Sequence, residues 1–239
     1  MAIIAGGTFL IIVNAVVTPL LDLEVPFTEM MASNTYLWRL SLAALAVFLL
    51  MVGSPGLHAY QAARSGPFGK IAFGLTFLGC ALLFAHEWAQ VFYVHSLAVA
   101  APQALQAIED AEGMNIYDLE AMIVLMTFTL GWIAFAAAMI RAGVFSRLGP
   151  ILVIAGFFAT PLFTAVTSVK LGGALGNAVL GSGFILLGRE LLKNKPGTHS
   201  VTRGSADATA PRHRTYKGPK LDRDRARFCD RRSRCLYRH

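Results

Sequence analysis

Charge is what this sequence has least of. Asp, Glu, Lys and Arg make up 15% of its 239 residues, against 55% hydrophobic. A soluble domain carries roughly 25% charged residues as its hydrated skin, so a water-solvated globule is excluded for the bulk of the chain. Cysteine is nearly as scarce: Cys80 lies in an apolar run, and Cys229 and Cys235 lie near the end. Three cysteines so placed exclude a disulfide framework. Cys229 and Cys235 with His213 and His239 also miss the pair spacing of a structural zinc site. No Gly-rich phosphate loop and no nucleophile–base pair is legible. The apolar runs lack the period-two alternation of a barrel strand, which excludes a transmembrane β-barrel.

What the sequence does have is long apolar runs. A run of about 20 such residues crosses a hydrocarbon core of ~30 Å as a helix, and in lipid each backbone N–H and C=O must be paired within the protein. The fold class expected is all-α, a polytopic transmembrane helix bundle over residues 1–194. About six spans are read: Ile3–Leu21, Tyr36–Val52, Ile71–Ala98, Leu119–Ile140, Leu148–Thr167 and Leu171–Leu187.

The charges between these spans orient them. The stretch after the first holds Asp22, Glu24 and Glu29 and no base. Arg64 and Lys70 follow the second, without an acid, while Glu109, Asp110, Glu112 and Asp118 follow the third, without a base. Arg141 and Arg147 follow the fourth. Lys170, after the fifth, breaks the alternation, and Arg189, Lys193 and Lys195 close the sixth. The positive-inside rule then places both termini in the cytoplasm and the chain in the cell inner membrane as a multi-pass protein. The first span is expected to be a retained helix, because it lacks the basic n-region and small-x-small site of a cleaved signal peptide.

The net charge of +7 belongs to one end. Residues 1–194 hold eight Lys/Arg against ten Asp/Glu, and residues 195–239 hold thirteen against four. This second segment is poor in apolar residues and is expected to be a disordered basic cytoplasmic tail. Arg223, Arg225, Arg227, Arg231 and Arg232 are its candidate lipid-headgroup contacts. The same arginine-rich stretch has the composition of a GC-rich message read out of frame, and both readings stand. No specific nucleic-acid recognition is expected.

Ionisable residues within spans are costly and are therefore candidates for function. The densest group lies in the third span: His86, Glu87, Trp88, Gln90, Tyr93 and His95. At 100° per residue, Gln90 and Tyr93 each fall within about 40° of His86, with Glu87 about 100° aside and His95 opposite. The zinc-protease pattern needs histidines at i and i+4; position 90 is Gln, so that reading fails, and no metal or other cofactor is expected. Arg39, near the outer end of the second span, is the expected ionic partner of Glu87. The candidate ligand-binding set is thus His86, Glu87, Gln90, Tyr93 and Arg39, set against the plainer possibility of a polar stripe that hydrogen-bonds across helices.

Other features concern packing. Gly172 and Gly176, and Gly173, Asn177 and Gly181, form small-residue faces suited to close helix contact, preferentially within the bundle and alternatively in a homodimer. Pro161 is expected to bend the fifth span. Pro102 opens a stretch with helical composition through Glu112, expected as a short outer helix that caps the bundle over His86 and Glu87.

Gly74-Leu-Thr-Phe-Leu-Gly79, Glu87-Trp88 and Leu97-Ala-Val-Ala-Ala-Pro-Gln-Ala-Leu105 resemble a group of uncharacterised small bacterial six-helix membrane proteins. The resemblance covers about residues 36–190. It implies the topology and draws attention to Glu87, and it brings no activity, cofactor or catalytic residue. A retinal protein would need a lysine deep in the last span, and Lys170 lies at its edge.

Three functions follow, in this order. The first is a non-enzymatic binder of a lipid or small amphipathic ligand, or of a membrane-protein partner. The second is a small proton-coupled transporter, since intramembrane Glu and His suit proton relays. The third is a lipid-modifying membrane enzyme using Glu87 or His86 as acid or base. No internal repeat supports the second, no second catalytic group supports the third, and no catalytic residue is assigned.

Overall fold

Apolar helical stretches with nowhere to hide from water become helices packed on helices, and the computed structural model has this form. It describes residues 1–110, 113 and 115–193. The tail expected from residue 195, with Arg223, Arg225, Arg227, Arg231 and Arg232, lies outside the described residues.

Helix α1 (Ala2–Ile12) continues through a π turn (Val13–Val17) and a 3-10 turn (Thr18–Leu20). A short α2 (Phe27–Ala32) leads into α3 (Asn34–Ala89), which runs on through a second π turn (Gln90–Val94) into α4 (His95–Ala100). Helices α5 (Pro102–Glu109), α6 (Ile116–Ala142), α7 (Leu148–Val166) and α8 (Val169–Lys193) follow. No strand occurs among the described residues. Five continuous helical stretches are long and apolar enough to cross a membrane: Ala2–Leu20, Asn34–Ala100, Ile116–Ala142, Leu148–Val166 and Val169–Lys193.

The second stretch, of 67 residues, would reach about 100 Å if straight. It is not straight. Gly66 takes φ 60° and ψ −160°, a region essentially restricted to glycine, and Pro67 follows it. The chain folds back there into two arms, 34–65 and 67–100. Phe48 meets Phe84 with ring centroids 5.5 Å apart, and His58 stacks on Phe73 at 4.3 Å. Both pairs are centred on residue 66, as an antiparallel hairpin requires. The expected connection carrying Arg64 and Lys70 is therefore no loop: both residues sit on helix, on either side of the reversal.

The helices close a ring in the order α1, first arm, second arm, α6, α7, α8, with α8 returning to α1. Inside it lie Leu50, Leu57, Trp132, Phe135, Phe184 and Leu187, all fully buried. Trp132 meets Phe184 edge-on at 4.6 Å. Small residues set each seam. A β-carbon at Gly156 (α7) would stand 2.6 Å from Leu180 Cα (α8), and one at Gly79 (second arm) 2.6 Å from Phe128 Cα (α6). A β-carbon at Gly7 (α1) would stand 2.7 Å from the Gly181 carbonyl oxygen (α8).

Of the small-residue faces read in the sequence, Gly172 and Gly176 lie against Thr164 and Thr160 of α7, and Gly181 lies against α1. Gly173 faces open space. Helix α7 passes through Pro161 to Val166 without ending. At the end of the ring where α6 leads into α7, Glu190 of α8 accepts the Ser146 N–H at 2.8 Å and also the Ser146 hydroxyl.

The reversal predicts a contrast between two glycines of one hairpin. Gly66→Ala places a β-carbon in a conformation that costs about 1–3 kcal/mol. Gly74→Ala, in helix with open space around it, gains up to ~1 kcal/mol in helix propensity. Thermal unfolding in detergent, followed by ellipticity at 222 nm, should show Gly66→Ala melting well below the parent and Gly74→Ala at or above it. Equal melting temperatures would remove Gly66 as the residue that permits the turn.

Candidate functional site

One end of the ring carries a second apolar cluster, in which Leu21, Met31, Tyr36, Leu40, Ala98 and Leu105 are buried together. It is roofed by α2 and α5, and three hydrogen bonds pin that roof. His95 Nδ1–H donates to the Met31 carbonyl at 2.7 Å. Glu109, at the end of α5, accepts the Phe27 N–H at 3.2 Å and the Thr28 hydroxyl at 3.3 Å. A carboxylate at the first turn of α2 satisfies donors that a helix start leaves unpaired. Helix α6 begins beside this roof. Asn115 caps it, accepting the Asp118 N–H at 2.9 Å and donating to the Ile108 carbonyl at 3.3 Å.

Between roof and bundle lies a cleft of about 290 Å³, walled by Phe27 of α2, Val94 and Leu97, residues of α5 including Leu105, Ile108 and Glu109, and Asn115 to Asp118 at the start of α6. The wall is apolar except at Glu109, Asn115, Tyr117 and Asp118. Its volume is near the lower end of the ~300–1,000 Å³ usual for small-molecule sites.

Tyr117 joins this cleft to the polar group of the second arm. Its ring lies 6.1 Å from Phe27 on one side and 5.7 Å from His86 on the other. His86 Nδ1 is 2.7 Å from Glu120 Oε2, and its Nε2 is 2.5 Å from Gln90 Nε2. With Gln90 Nε2 assigned as the donor, His86 Nε2 accepts and the imidazole proton lies on Nδ1, from which it donates to Glu120. This histidine has both ring nitrogens engaged, one by a carboxylate and one by an amide. Such an arrangement fixes a tautomer and a ring plane.

The expected site residues therefore divide. His86 and Gln90 come together as read. Tyr93 does not join them: it is 74% exposed, on the outside of the bundle. The cause is the π turn Gln90–Val94, which takes more residues per turn than an α-helix and rotates Tyr93 off the stripe that a uniform 100° step assumes. Arg39 and Glu87 do not close to ion-pair distance. Among the described residues the one contact within 4 Å between a basic and an acidic side chain is His86 with Glu120. Arg39 instead donates from Nε to Thr18 Oγ1 at 3.3 Å and lies over the Tyr36 ring at 5.5 Å. It braces the irregular end of α1, where Thr18 itself donates to the Val13 carbonyl at 3.0 Å. Glu87 Oε2 is buried with no hydrogen-bond partner among the described residues. The short helix expected from Pro102 is present as α5, and it covers a cleft reached from His86 through Tyr117, with neither His86 nor Glu87 in the cleft wall.

Sequence reasoning missed two sets. Glu120 and Tyr117 stand in the first turns of α6. Glu120 lies inside the span read as Leu119–Ile140, so the rule that singled out Glu87 applied to it equally. Ser54, His58, Gln61 and Ser65 share one face of the first arm, a spacing of four, three and four. Gln61 is fully buried, and neither of its amide atoms has a partner, nor do His58 Nδ1 and Ser65 Oγ. The second span was read to end at Val52, short of this face. Among the described residues no three His, Cys, Asp or Glu side chains converge as a metal site would need.

No protein-family model, curated protein or solved structure matches the chain.

The His86 tautomer is a spectroscopic prediction. With ¹⁵N-labelled histidine, and His86 assigned by difference from His86→Ala, His86 Nδ1 should carry a proton hydrogen-bonded to Glu120. Gln90→Leu removes the donor to Nε2 and should admit the other tautomer. A ring protonated on Nε2 in the parent protein would contradict the geometry.

Proposed function

We propose that the chain is a six-crossing protein of the cell inner membrane that binds a lipid or small amphipathic ligand, without catalysis, in the cleft beneath α5. Two crossings come from the hairpin: each arm, of more than 30 residues, exceeds the ~30 Å core by itself. With α1, α6, α7 and α8 the count is six, an even number, which leaves both ends of the bundle on one side. The basic residues Arg64, Lys70, Arg141 and Arg147 favour the cytoplasm for that side. The roofed end, with Glu109, Asp110 and Asp118, then faces outward.

The observation that carries the ligand reading is the cleft. It is mostly apolar, it has polar groups along one side only, and it sits where the roof meets the crossing helices. That division suits a molecule with an apolar body and a polar end. The fixed His86–Glu120 pair stands behind the Tyr117 wall and holds it in place. We assign it a positioning part rather than a chemical one, since neither residue lines the cleft.

Topology and binding are tested separately. With the native cysteines replaced, Ala63→Cys and Gln103→Cys should be labelled by a membrane-impermeant maleimide from opposite faces of sealed cells or vesicles, Gln103→Cys from outside. Labelling of both from one face would refute the orientation. For the ligand, Ile108→Trp inserts a large side chain at the cleft from a partly exposed position and leaves the Leu105 cluster untouched. Native mass spectrometry from mild detergent should show a co-purifying lipid-sized adduct on the parent protein and at least a several-fold loss of it in Ile108→Trp. Equal adducts on both would place any such molecule elsewhere.

A further inference from the structure

The cleft has a chemical bias that its size alone does not convey. We propose that it selects an amphiphile whose head is a positively charged, alkylated nitrogen; this rests on the reading of the cleft as an amphiphile site.

Among the described residues its walls carry no Lys, Arg or His, and they carry two carboxylates, Glu109 and Asp118. Two aromatic rings, Phe27 and Tyr117, stand 6.1 Å apart at an interplanar angle of 53°. Aromatic faces beside carboxylates are the environment that recognises quaternary ammonium groups, through the ring quadrupole and the nearby negative charge. The end of α5 adds to this. Its last turn points its carbonyls and the negative end of its dipole to the side where Glu109 stands.

An opposing field has to be weighed. The start of α6 also borders the cleft, and a helix start favours anions. Here it is already occupied by the molecule's own groups: Asn115 caps the Asp118 N–H, and the Asp118 carboxylate sits in the first turn. An incoming anion would meet that carboxylate first.

Alkylation of the nitrogen follows from what remains free to bond. Both oxygens of Glu109 already accept bonds from α2. Asp118 is exposed, with water as its alternative partner. Glu109 keeps lone pairs beyond those two bonds, but a primary ammonium, with three N–H donors, would have to share them with α2 and compete with water for Asp118, whereas the two ring faces require no N–H donor. An alkylated one has few or none, and it keeps its charge. The aliphatic remainder of the wall, Val94, Leu97, Leu105 and Ile108, suits the chain attached to it.

The test uses three probes with one tail: hexyltrimethylammonium, hexyl sulfate and hexanol. Each is titrated into the full-length protein in dodecyl maltoside, and binding is read by saturation-transfer NMR. The ammonium probe should bind about 10-fold or more tighter than hexanol, with the sulfate weakest. Ile108→Trp should abolish the binding of the ammonium probe and of hexanol. Asp118→Asn should weaken the ammonium probe several-fold and leave hexanol unchanged. Equal binding of all three probes, blocked by Ile108→Trp, would overturn the head-group selection while the amphiphile reading stands. Preference for the sulfate would overturn it as well. Binding that survives Ile108→Trp, or no binding of any probe, would bring down the cleft reading and this inference with it. If Asp118→Asn and Glu109→Gln both keep the full preference, the charge that selects the head is not in this cleft and the assignment fails.

Discussion

One reversal of the chain, at Gly66, carries the rest of the arrangement. An unbroken helix from Asn34 to Ala100 would leave its two halves far apart. The backbone at Gly66 adopts a conformation closed to other residues, and Pro67 discourages the residue before it from continuing the helix. The arms then lie side by side, and the candidate site depends on that fact. Met31 and His95 meet because α2 precedes one arm and α4 ends the other. The second apolar cluster draws Tyr36 and Leu40 from the first arm and Ala98 from the end of the second. The cleft exists because α5, leaving the second arm, is tied back to α2, which enters the first.

The second constraint is close approach. Lipid gives helices no hydrophobic reason to pair, so contact depends on how near backbones can come. Gly156 at Leu180, Gly79 at Phe128 and Gly7 at Gly181 each admit a partner helix where any side chain would hold it off. These seams lock the bundle, whereas the roof is held by a handful of polar contacts and one small apolar cluster. The molecule thus pairs a tightly seated body with a more lightly fastened cap, and the cleft lies between them.

Much of this was legible in the sequence. Long apolar runs predicted helices, and each expected span falls on one. Pro102 announced α5, and the glycines of α8 announced its close contacts. His86 and Gln90, four apart, met as a regular helix requires. What could not be read was departure from regularity. A π turn has no sequence signature that a 100° step would register, so Tyr93 was placed on the wrong face. Hydropathy ends a span where apolar residues thin out, so the helix beyond Val52, with Ser54, His58, Gln61 and Ser65, stayed unseen. The Arg39–Glu87 pair is inferred from similar depth, but depth does not fix contact, and Thr18 and Tyr36 engage Arg39 within bonding reach while Glu87 stays outside it.

The π turn at Gln90–Val94 also bears on how the chain can vary in length. Such a turn holds one residue more than the α-helical path it interrupts. Loss of a single residue within it would close the turn to ordinary helix and leave the segments on either side seated as before. The same loss a few positions earlier would swing everything beyond it by about 100°, carrying His95 away from Met31 and Ala98 out of its cluster. Single-residue deletions among descendants of this sequence are therefore tolerable at that one turn and disruptive along the rest of the arm.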